Sequence, residues 1–158
     1  MMDTPWQIQP VEGEAALTSV RALLQEYWDS FGFTPCFQRF GDELAGLPGA
    51  YAPPGGRLAL ATIDGQQAGC IALRRVDALR AEAKRLYVRP GFRGHGLGRA
   101  LLEWVMAEAR AAGYLEIVGD TMPEMRDALA LYDRMGFERV APYAEQPTEG
   151  AIFIRIKL

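Results

Sequence analysis

The stretch VRPGFRGHGLGRALL at residues 88–102 decides the fold prediction, because it passes from a strand through a glycine-rich turn into a helix. The mostly apolar residues 82–88 predict the strand, and apolar side chains three and four apart over residues 97–112 predict the helix. A glycine-rich turn at a helix start exposes backbone N–H groups that have no intrahelical partner, and the helix dipole adds partial positive charge. The stretch therefore predicts a phosphate-binding turn.

The spacing of the glycines excludes two common phosphate-binding patterns. The P-loop requires Gly-Lys-Ser/Thr, but a leucine and a further glycine follow Gly96. The dinucleotide pattern GxGxxG fails because Arg99 or Leu101 occupies the place of its last glycine. The pattern that remains is Arg-x-x-Gly-x-Gly, which is filled by Arg93, Gly96 and Gly98.

Length and composition predict one ordinary globular domain, residues 1–158. The apolar fraction of 49% and the charged fraction of 23% match globular proteins and exclude a disordered chain. A net charge of −3 argues against a nucleic-acid-binding domain, which usually carries a basic excess. Eight basic and two acidic side chains nevertheless lie between Arg74 and Arg99. This local excess fits either a compact anionic ligand or a solvated face.

Cysteine and histidine usage predicts a cytoplasmic protein without a metal site. Cys36 and Cys70 show no CxxC or Cys/His spacing, so both are expected to be reduced thiols. His95 is the single histidine, which argues against a zinc site. Residues 1–10 lack the basic and apolar regions of a signal peptide, and no apolar run approaches the about 18 residues of a membrane span.

The chain predicts an α/β fold with the order β-α-α-β-β-β-α-β-α-β-β. Predicted strands cover residues 6–11, 58–63, 67–76, 82–88, 114–118, 137–140 and 151–156, and predicted helices cover 12–30, 36–47, 97–112 and 123–135. Hairpin-length links between three central strands predict an antiparallel meander, and the helix after them predicts a parallel crossover. We therefore expect one mixed, mostly antiparallel sheet with helices on both faces.

A second motif, ALALYDRMGF at residues 128–137, lies downstream of the glycine turn. With it, the chain resembles the GNAT superfamily of acyl-CoA-dependent N-acetyltransferases. The glycine turn is similar to that family's coenzyme A signature, Gln/Arg-x-x-Gly-x-Gly/Ala, and the second motif is similar to its helix ending in Leu-Tyr-x-x-x-Gly-Phe. The resemblance covers residues 57–140 closely. One departure is Met125, which stands where family members often carry an asparagine that contacts the cofactor.

The resemblance implies a GNAT-like acyl-CoA N-acyltransferase fold and a metal-free reaction. An acetyl group would pass from acetyl-CoA to an amine of a small molecule or peptide by direct attack in a ternary complex. Independently of the resemblance, the charge balance and the lack of a long apolar run predict no nucleic-acid or membrane partner. The alternative is a non-catalytic acyl-CoA-binding or regulatory module. The identity of the acceptor stays open, because the N-terminal third carries no recognisable motif. A homodimer is compatible with the prediction if residues 151–158 form an edge strand that pairs with a second copy.

The resemblance also implies two catalytic roles. Tyr132 matches the acid that protonates the leaving thiolate, and its unperturbed pKa is close to that of an alkyl thiol; the alternative is a core tyrosine. Glu82 is the candidate base for the amine, directly or through water; the alternative is a strand acid paired with Lys84 or Arg85. Strand alternation predicts that one face carries Glu82, Lys84, Leu86 and Val88.

The cofactor is expected to lie along the strand and across the glycine turn. The resemblance points to the Val88 N–H, at a β-bulge, as the donor to the thioester oxygen. The implied cofactor-binding residues are Leu86, Tyr87, Val88, Arg93, Gly94, His95, Gly96, Leu97, Gly98 and Arg99. By position, Tyr51, Trp28 and Phe33 are candidates for the acceptor pocket, and Asp120 and Thr121 are expected just past the end of a parallel strand.

Overall fold

The computed structural model describes residues 5–31, 40–144, 147 and 149–158. Within these ranges the chain forms one seven-stranded mixed sheet with helices on both faces, which confirms the predicted fold class. The strands are β1 (Trp6–Pro10), β2 (Arg57–Ile63), β3 (Gln66–Arg75), β4 (Arg80–Val88), β5 (Glu116–Thr121), β6 (Glu138–Val140) and β7 (Ile152–Lys157). The helices are α1 (Gly13–Asp29), α2 (Phe40–Ala45), α3 (Leu97–Ala111) and α4 (Arg126–Met135).

The strand order in the sheet is β1-β2-β3-β4-β5-β7-β6. Strands β1, β2, β3 and β4 pair with one another in succession, and each of these pairs is antiparallel. Strands β4 and β5 pair parallel, as the crossover through α3 predicts. In the ranges described, no helix is long and apolar enough to cross a membrane.

The central strand β3 is buried on both faces, which is why it is an almost continuous apolar run. Ile71 and Leu73 pack with helix α3, while Cys70 and Ala72 pack with helix α1 on the opposite face. This division follows from the alternation of side chains along a strand. Cys70 is fully buried, and burial raises the pKa of its thiol to about 12, so it stays protonated.

A β-bulge at Arg85 breaks the alternation of strand β4. Lys84 pairs with Ala72 and Tyr87 with Cys70, so two residues of β4 oppose one residue of β3. Arg85 takes a positive φ of 60° at this point. As a result, Leu86 and Val88 pack toward the α3 face with Ala81 and Ala83. The prediction that they share a face with Glu82 and Lys84 is therefore wrong.

Strands β4 and β5 separate part of the way along their length. Their parallel pairing ends at the pair Glu82 and Val118, so within the described part of the chain the second half of β4 has no partner strand on that side. The predicted separation of the strands is present, but the bulge lies at Arg85 rather than at Val88. The gap between the two strands opens toward the start of α3.

The boundaries of β5, α4 and α2 differ from the sequence prediction. Strand β5 runs to Thr121 because β7 pairs with it along its whole length, so Asp120 and Thr121 lie within the strand instead of past its end. Helix α4 begins at Arg126 and not at residue 123, because the N–H of Met125 closes a turn onto the carbonyl of Met122, 2.9 Å away. Of the predicted second helix, residues 36–39 lie outside the described residues, and α2 ends at Ala45.

The prediction of an edge position for the last strand is wrong. Strand β7 lies between β5 and β6, and pairs antiparallel with both. The short strand β6 is at that edge of the sheet instead. The backbone groups of β7 are therefore engaged on both sides and do not offer a free edge to a second copy.

Candidate active site

The glycine turn forms a cradle of N–H groups at the start of helix α3. Gly94 and Gly96 both adopt left-handed conformations, with φ of 85° and 87°, which non-glycine residues rarely adopt. The first hydrogen bond of the helix runs from the Ala100 N–H to the Gly96 carbonyl over 3.0 Å. The N–H groups of residues 97–99 precede that bond, so they have no intrahelical acceptor and are available to an anion.

Gly98 allows the start of α3 to approach α4 and β4 closely. A Cβ at this position would lie 3.4 Å from Leu131 and 3.9 Å from Val88. A larger side chain here would push the two helices apart and fill the space between them.

A first cleft, of about 740 Å³, lies beside this cradle, and we call it the loop cleft. Nine of the ten predicted cofactor-binding residues line it, together with residues of α4. His95 is the exception, because it is exposed and is not part of the lining. The predicted cofactor-binding residues therefore lie together around the loop cleft, except for His95.

The backbone of Val88 faces the loop cleft. The Arg89 N–H donates a 2.8 Å hydrogen bond to the Ala68 carbonyl. Val88 and Gly69, which lie opposite each other next to this bond, are therefore a non-hydrogen-bonded pair of the antiparallel ladder. The N–H and carbonyl of Val88 thus point away from β3, toward the gap beside β5. Its carbonyl accepts a 2.7 Å hydrogen bond from Arg93 Nε. This geometry leaves the Val88 N–H available to a carbonyl oxygen in the cleft.

A second cleft, of about 570 Å³, adjoins the first, and we call it the inner cleft. Both clefts are lined by Tyr27, Phe31, Leu86, Met125 and Ala128, so they adjoin at these residues, beside the gap between β4 and β5. Residues from α1, α2, β3, β4, β5 and α4 line the inner cleft. A ligand in one cleft would meet a ligand in the other at this gap.

Tyr132 projects from α4 into the inner cleft. Burial, and to a smaller extent the Asp120 carboxylate, raises the pKa of Tyr132 to about 12. In the described part of the chain its hydroxyl forms no hydrogen bond, so it is free to donate one to a ligand. The raised pKa alters the sequence argument, because proton transfer from Tyr132 to a thiolate of ordinary pKa is then less favourable than it would be from an unperturbed tyrosine.

Glu82 is buried beside the inner cleft, with only 2% of its surface exposed, and it lines neither cleft. One carboxylate oxygen accepts a 2.6 Å hydrogen bond from Arg74 Nε and lies 3.5 Å from Lys84 Nζ. The Tyr143 hydroxyl donates to the other oxygen. Burial opposes ionisation, but Lys84, Tyr143 and Arg74 outweigh it and hold the pKa of Glu82 below its usual value. Glu82 is thus an ionised, fully engaged carboxylate without direct access to a substrate amine.

Only some of the other candidate residues for the acceptor pocket lie at the inner cleft. Tyr51 lines the inner cleft, as do Asp120 and Thr121. Trp28 instead stacks on Phe40, with ring centroids 4.5 Å apart. Phe33 lies outside the described residues.

Sequence reasoning missed the charged network that forms a wall of the inner cleft. Arg85 makes two hydrogen bonds of 2.9 Å to Glu43, and the Tyr51 hydroxyl donates to the same carboxylate over 3.1 Å. Burial raises the pKa of Glu43, but Arg85 and Tyr51 outweigh it, so the net pKa is lowered. Glu43 and Arg85 are 42 positions apart in the chain and belong to no motif, so no local pattern signals the pair.

Met125, the departure from the family pattern, lies where both clefts meet. It is the N-cap of α4 but makes no side-chain capping bond, and its sulfur accepts a 3.4 Å hydrogen bond from the Thr121 hydroxyl. The thioether therefore supplies an apolar contact at the junction, where an asparagine would supply an amide.

Known proteins resemble this chain in sequence and in fold. The acetyltransferase (GNAT) domain model matches residues 54–139. An uncharacterized N-acetyltransferase of Schizosaccharomyces pombe is 34% identical over 144 residues, which cover 90% of this chain and 88% of that protein. An acetyltransferase structure from Streptococcus agalactiae superposes with a TM-score of 0.82 at 22% identity, covering 99% of this chain and 100% of that one.

A putative acetyltransferase from Salmonella typhimurium, solved with its cofactor acetyl-CoA, also shares the fold. It superposes with a TM-score of 0.74 at 19% identity, covering 98% of this chain and 94% of that one. Because the family model spans more than half of the chain and the yeast relative spans most of it, the chain belongs to the GNAT family of N-acetyltransferases.

Proposed function

We propose that the protein transfers an acetyl group from acetyl-CoA to an amine by direct attack in a ternary complex. The observation that carries this proposal is the junction of two clefts at the gap between β4 and β5. One cleft ends in an N–H cradle suited to phosphates, and the other contains a protonated tyrosine. The acyl donor and the acceptor would therefore meet beside Val88 and Tyr132.

The chain's own residues fit acetyl-CoA in the loop cleft. The N–H groups of residues 97–99 and the side chains of Arg93 and Arg99 would hold the pyrophosphate, while the outward backbone of Val88 would pair with the pantetheine arm like an added strand. Arg93 now bonds the Val88 carbonyl, so it would turn toward the phosphates when the arm takes its place. When bound, the cofactor supplies an activated thioester.

Within this proposal, Val88 and Tyr132 act on the reacting atoms. The Val88 N–H donates to the thioester oxygen as negative charge develops on it. Tyr132 donates its proton, or a hydrogen bond, to the departing sulfur, since its hydroxyl remains protonated at neutral pH. Glu82 is assigned to positioning, because its carboxylate holds Arg74 and Lys84 in place. The proton that the amine loses on attack would pass to water in the cleft, and water would return a proton to Tyr132 after the thiol leaves.

The test is an acetyl-CoA turnover assay with a panel of amino acids, polyamines, aminoglycosides and peptides as acceptors. Turnover is monitored through the free thiol of the coenzyme A that is released. Calorimetry of acetyl-CoA binding runs alongside it. Binding together with amine-dependent thiol release is the expected result. Tight binding without turnover for any amine would favour the non-catalytic acyl-CoA-binding module instead.

A further inference from the structure

Four charged side chains form a row beside the inner cleft, across three neighbouring strands. Arg74 lies on β3, Glu82 and Lys84 on β4, and Asp120 on β5. Arg74 Nε lies 2.6 Å from Glu82 Oε1, Lys84 Nζ lies 3.5 Å from the same oxygen, and Lys84 Nζ lies 3.8 Å from Asp120 Oδ1. The row has a guanidinium at one end and a carboxylate at the other, and both ends line the cleft.

The Arg74 guanidinium has an unused hydrogen-bonding edge. Its Nε donates to Glu82, but neither of its two Nη atoms donates a hydrogen bond within the residues described. The side chain is 41% exposed, so a ligand in the cleft can reach it. Two adjacent Nη groups match the paired oxygens of a carboxylate or a phosphate. Because Glu82 already holds Nε, little side-chain entropy remains to be lost when such a group binds.

Asp120 marks the other end, next to the proposed acid. Its carboxylate is 34% exposed to the cleft, and its charge contributes to the raised pKa of Tyr132. A substrate ammonium is attracted to Asp120, whereas a second ammonium reaching toward Lys84 and Arg74 would meet like charges. The row therefore favours an acceptor with opposite charges at its two ends.

We propose that the acceptor is an amine that also carries a carboxylate or phosphate, and that Arg74 binds this anionic group through its Nη atoms. This inference rests on the proposed function, because it names the class of acceptor for the same cleft. Arg74 and Asp120 are both described and form no direct ion pair, and Lys84 lies between them. The amine and the anionic group of the acceptor are therefore separated by several bonds.

Three amines of equal length but different terminal charge test the proposal: 6-aminohexanoate, 6-aminohexanamide and 1,6-diaminohexane. A fourth probe, 3-aminopropylphosphonate, distinguishes a phosphate-type group from a carboxylate. The measurements are kcat/KM for acetylation and the calorimetric affinity for the protein saturated with coenzyme A. We expect one or both acids to exceed the amide about tenfold or more, the effect of a hydrogen bond to a charged group, and the diamine to be poorest.

The variant Arg74→Gln should remove the preference for the acid over the amide and leave the acetyl-CoA affinity unchanged. The matched control is Arg75→Gln, on the next residue of the same strand, because Arg75 is exposed and lines neither cleft. Arg74→Lys keeps the charge but loses the paired N–H groups, so it should restore the preference only in part. Melting temperatures of all three variants separate a binding effect from a loss of folding.

The outcomes separate this inference from the proposed function. If the amide or the diamine matches or exceeds both acids in kcat/KM and in affinity, the inference is overturned while acetyl transfer stands. A preference for the acid that survives in Arg74→Gln also overturns it. If no probe is acetylated, the proposed function fails for these amines, and tighter binding of the acid to the coenzyme A-saturated protein still decides the charge preference.

Discussion

Arg85, at the bulge of β4, and Glu43, on helix α2, are joined by two hydrogen bonds of 2.9 Å. Tyr51 donates a third bond to the same carboxylate. All three residues line the inner cleft, so this largely buried pair connects α2 to the sheet at the wall of the proposed acceptor site. The bulge that opens the sheet thus also anchors the helix beside the opening.

The variant Glu43→Gln should lower the free energy of unfolding by about 3 kcal/mol, because Arg85 then keeps a buried charge without its carboxylate. Urea unfolding monitored by circular dichroism measures the change. Asp42→Asn is the matched control: Asp42 is exposed and makes no ion pair among the described residues, so its loss should cost less than about 0.5 kcal/mol. Equal effects of the two variants would show that the Arg85–Glu43 pair does not stabilise the fold.

Glu82→Gln should alter the dependence of stability on pH. The folded-state pKa of Glu82 is lowered, so its contribution is complete above the unfolded value of about 4.3 and is lost as pH falls through the folded-state pKa. The variant should therefore be less stable than the native chain at pH 7 by about 3 kcal/mol. The difference should shrink as the solution is acidified.

The same variant separates positioning from base catalysis. A positioning role predicts that kcat and the melting temperature fall together, with no loss of a titrating group from the kcat–pH profile. A fall in kcat at unchanged stability, with one limb of that profile removed, would instead identify Glu82 as the base.

Tyr132→Phe should reduce kcat by about 10²- to 10⁴-fold, the range for loss of general acid catalysis, with acetyl-CoA affinity nearly unchanged. The hydroxyl forms no hydrogen bond within the described chain, so its removal should leave the fold intact. Steady-state kinetic assays measure kcat, and calorimetry measures the acetyl-CoA affinity. Tyr114→Phe is the control, since that hydroxyl donates to the Gly55 carbonyl over 2.7 Å and lines neither cleft. Full turnover by Tyr132→Phe would remove the tyrosine from the mechanism.

Gly96→Glu should abolish coenzyme A binding. The position requires a φ of 87°, and a carboxylate there would repel the phosphates from the N–H cradle. Gly113→Ala is the control, because Gly113 has a similar φ of 92° after helix α3, far along the chain from the cradle. That control should lose about 1 kcal/mol of stability and retain its affinity in calorimetry. Normal affinity of Gly96→Glu would contradict the phosphate site.

Much of the fold was predictable because its signals are local. The strand, turn and helix around Gly96 follow from side-chain periodicity and from glycine's access to positive φ, both of which are properties of consecutive residues. The element order and the parallel pairing of β4 with β5 followed in turn, since short links permit hairpins and a helix permits a crossover. The gathering of nine predicted residues in the loop cleft has the same origin.

The parts that were not predictable depend on pairing between distant residues. The bulge at Arg85 exists because two residues of β4 lie opposite one residue of β3. The bulge places the side chains of Leu86 and Val88 on the face of the sheet opposite to the predicted one. The length of β5 was set by its pairing with β7, which inserts beside it instead of at the edge. Glu82 became an engaged, buried carboxylate because Tyr143, 61 residues away, closes over it.

The sequence by itself determined the family, the N–H cradle at the start of α3 and the position of Tyr132, because each rests on neighbouring residues whose backbone preferences are intrinsic. Only the tertiary structure decided the proposed acceptor side: which charges line the inner cleft, which of them are already paired, and that neither Nη of Arg74 donates a hydrogen bond among the described residues. Those properties are set by side chains that meet across three strands and three helices. The strength of each charge depends on burial and partners that arise only when these elements pack.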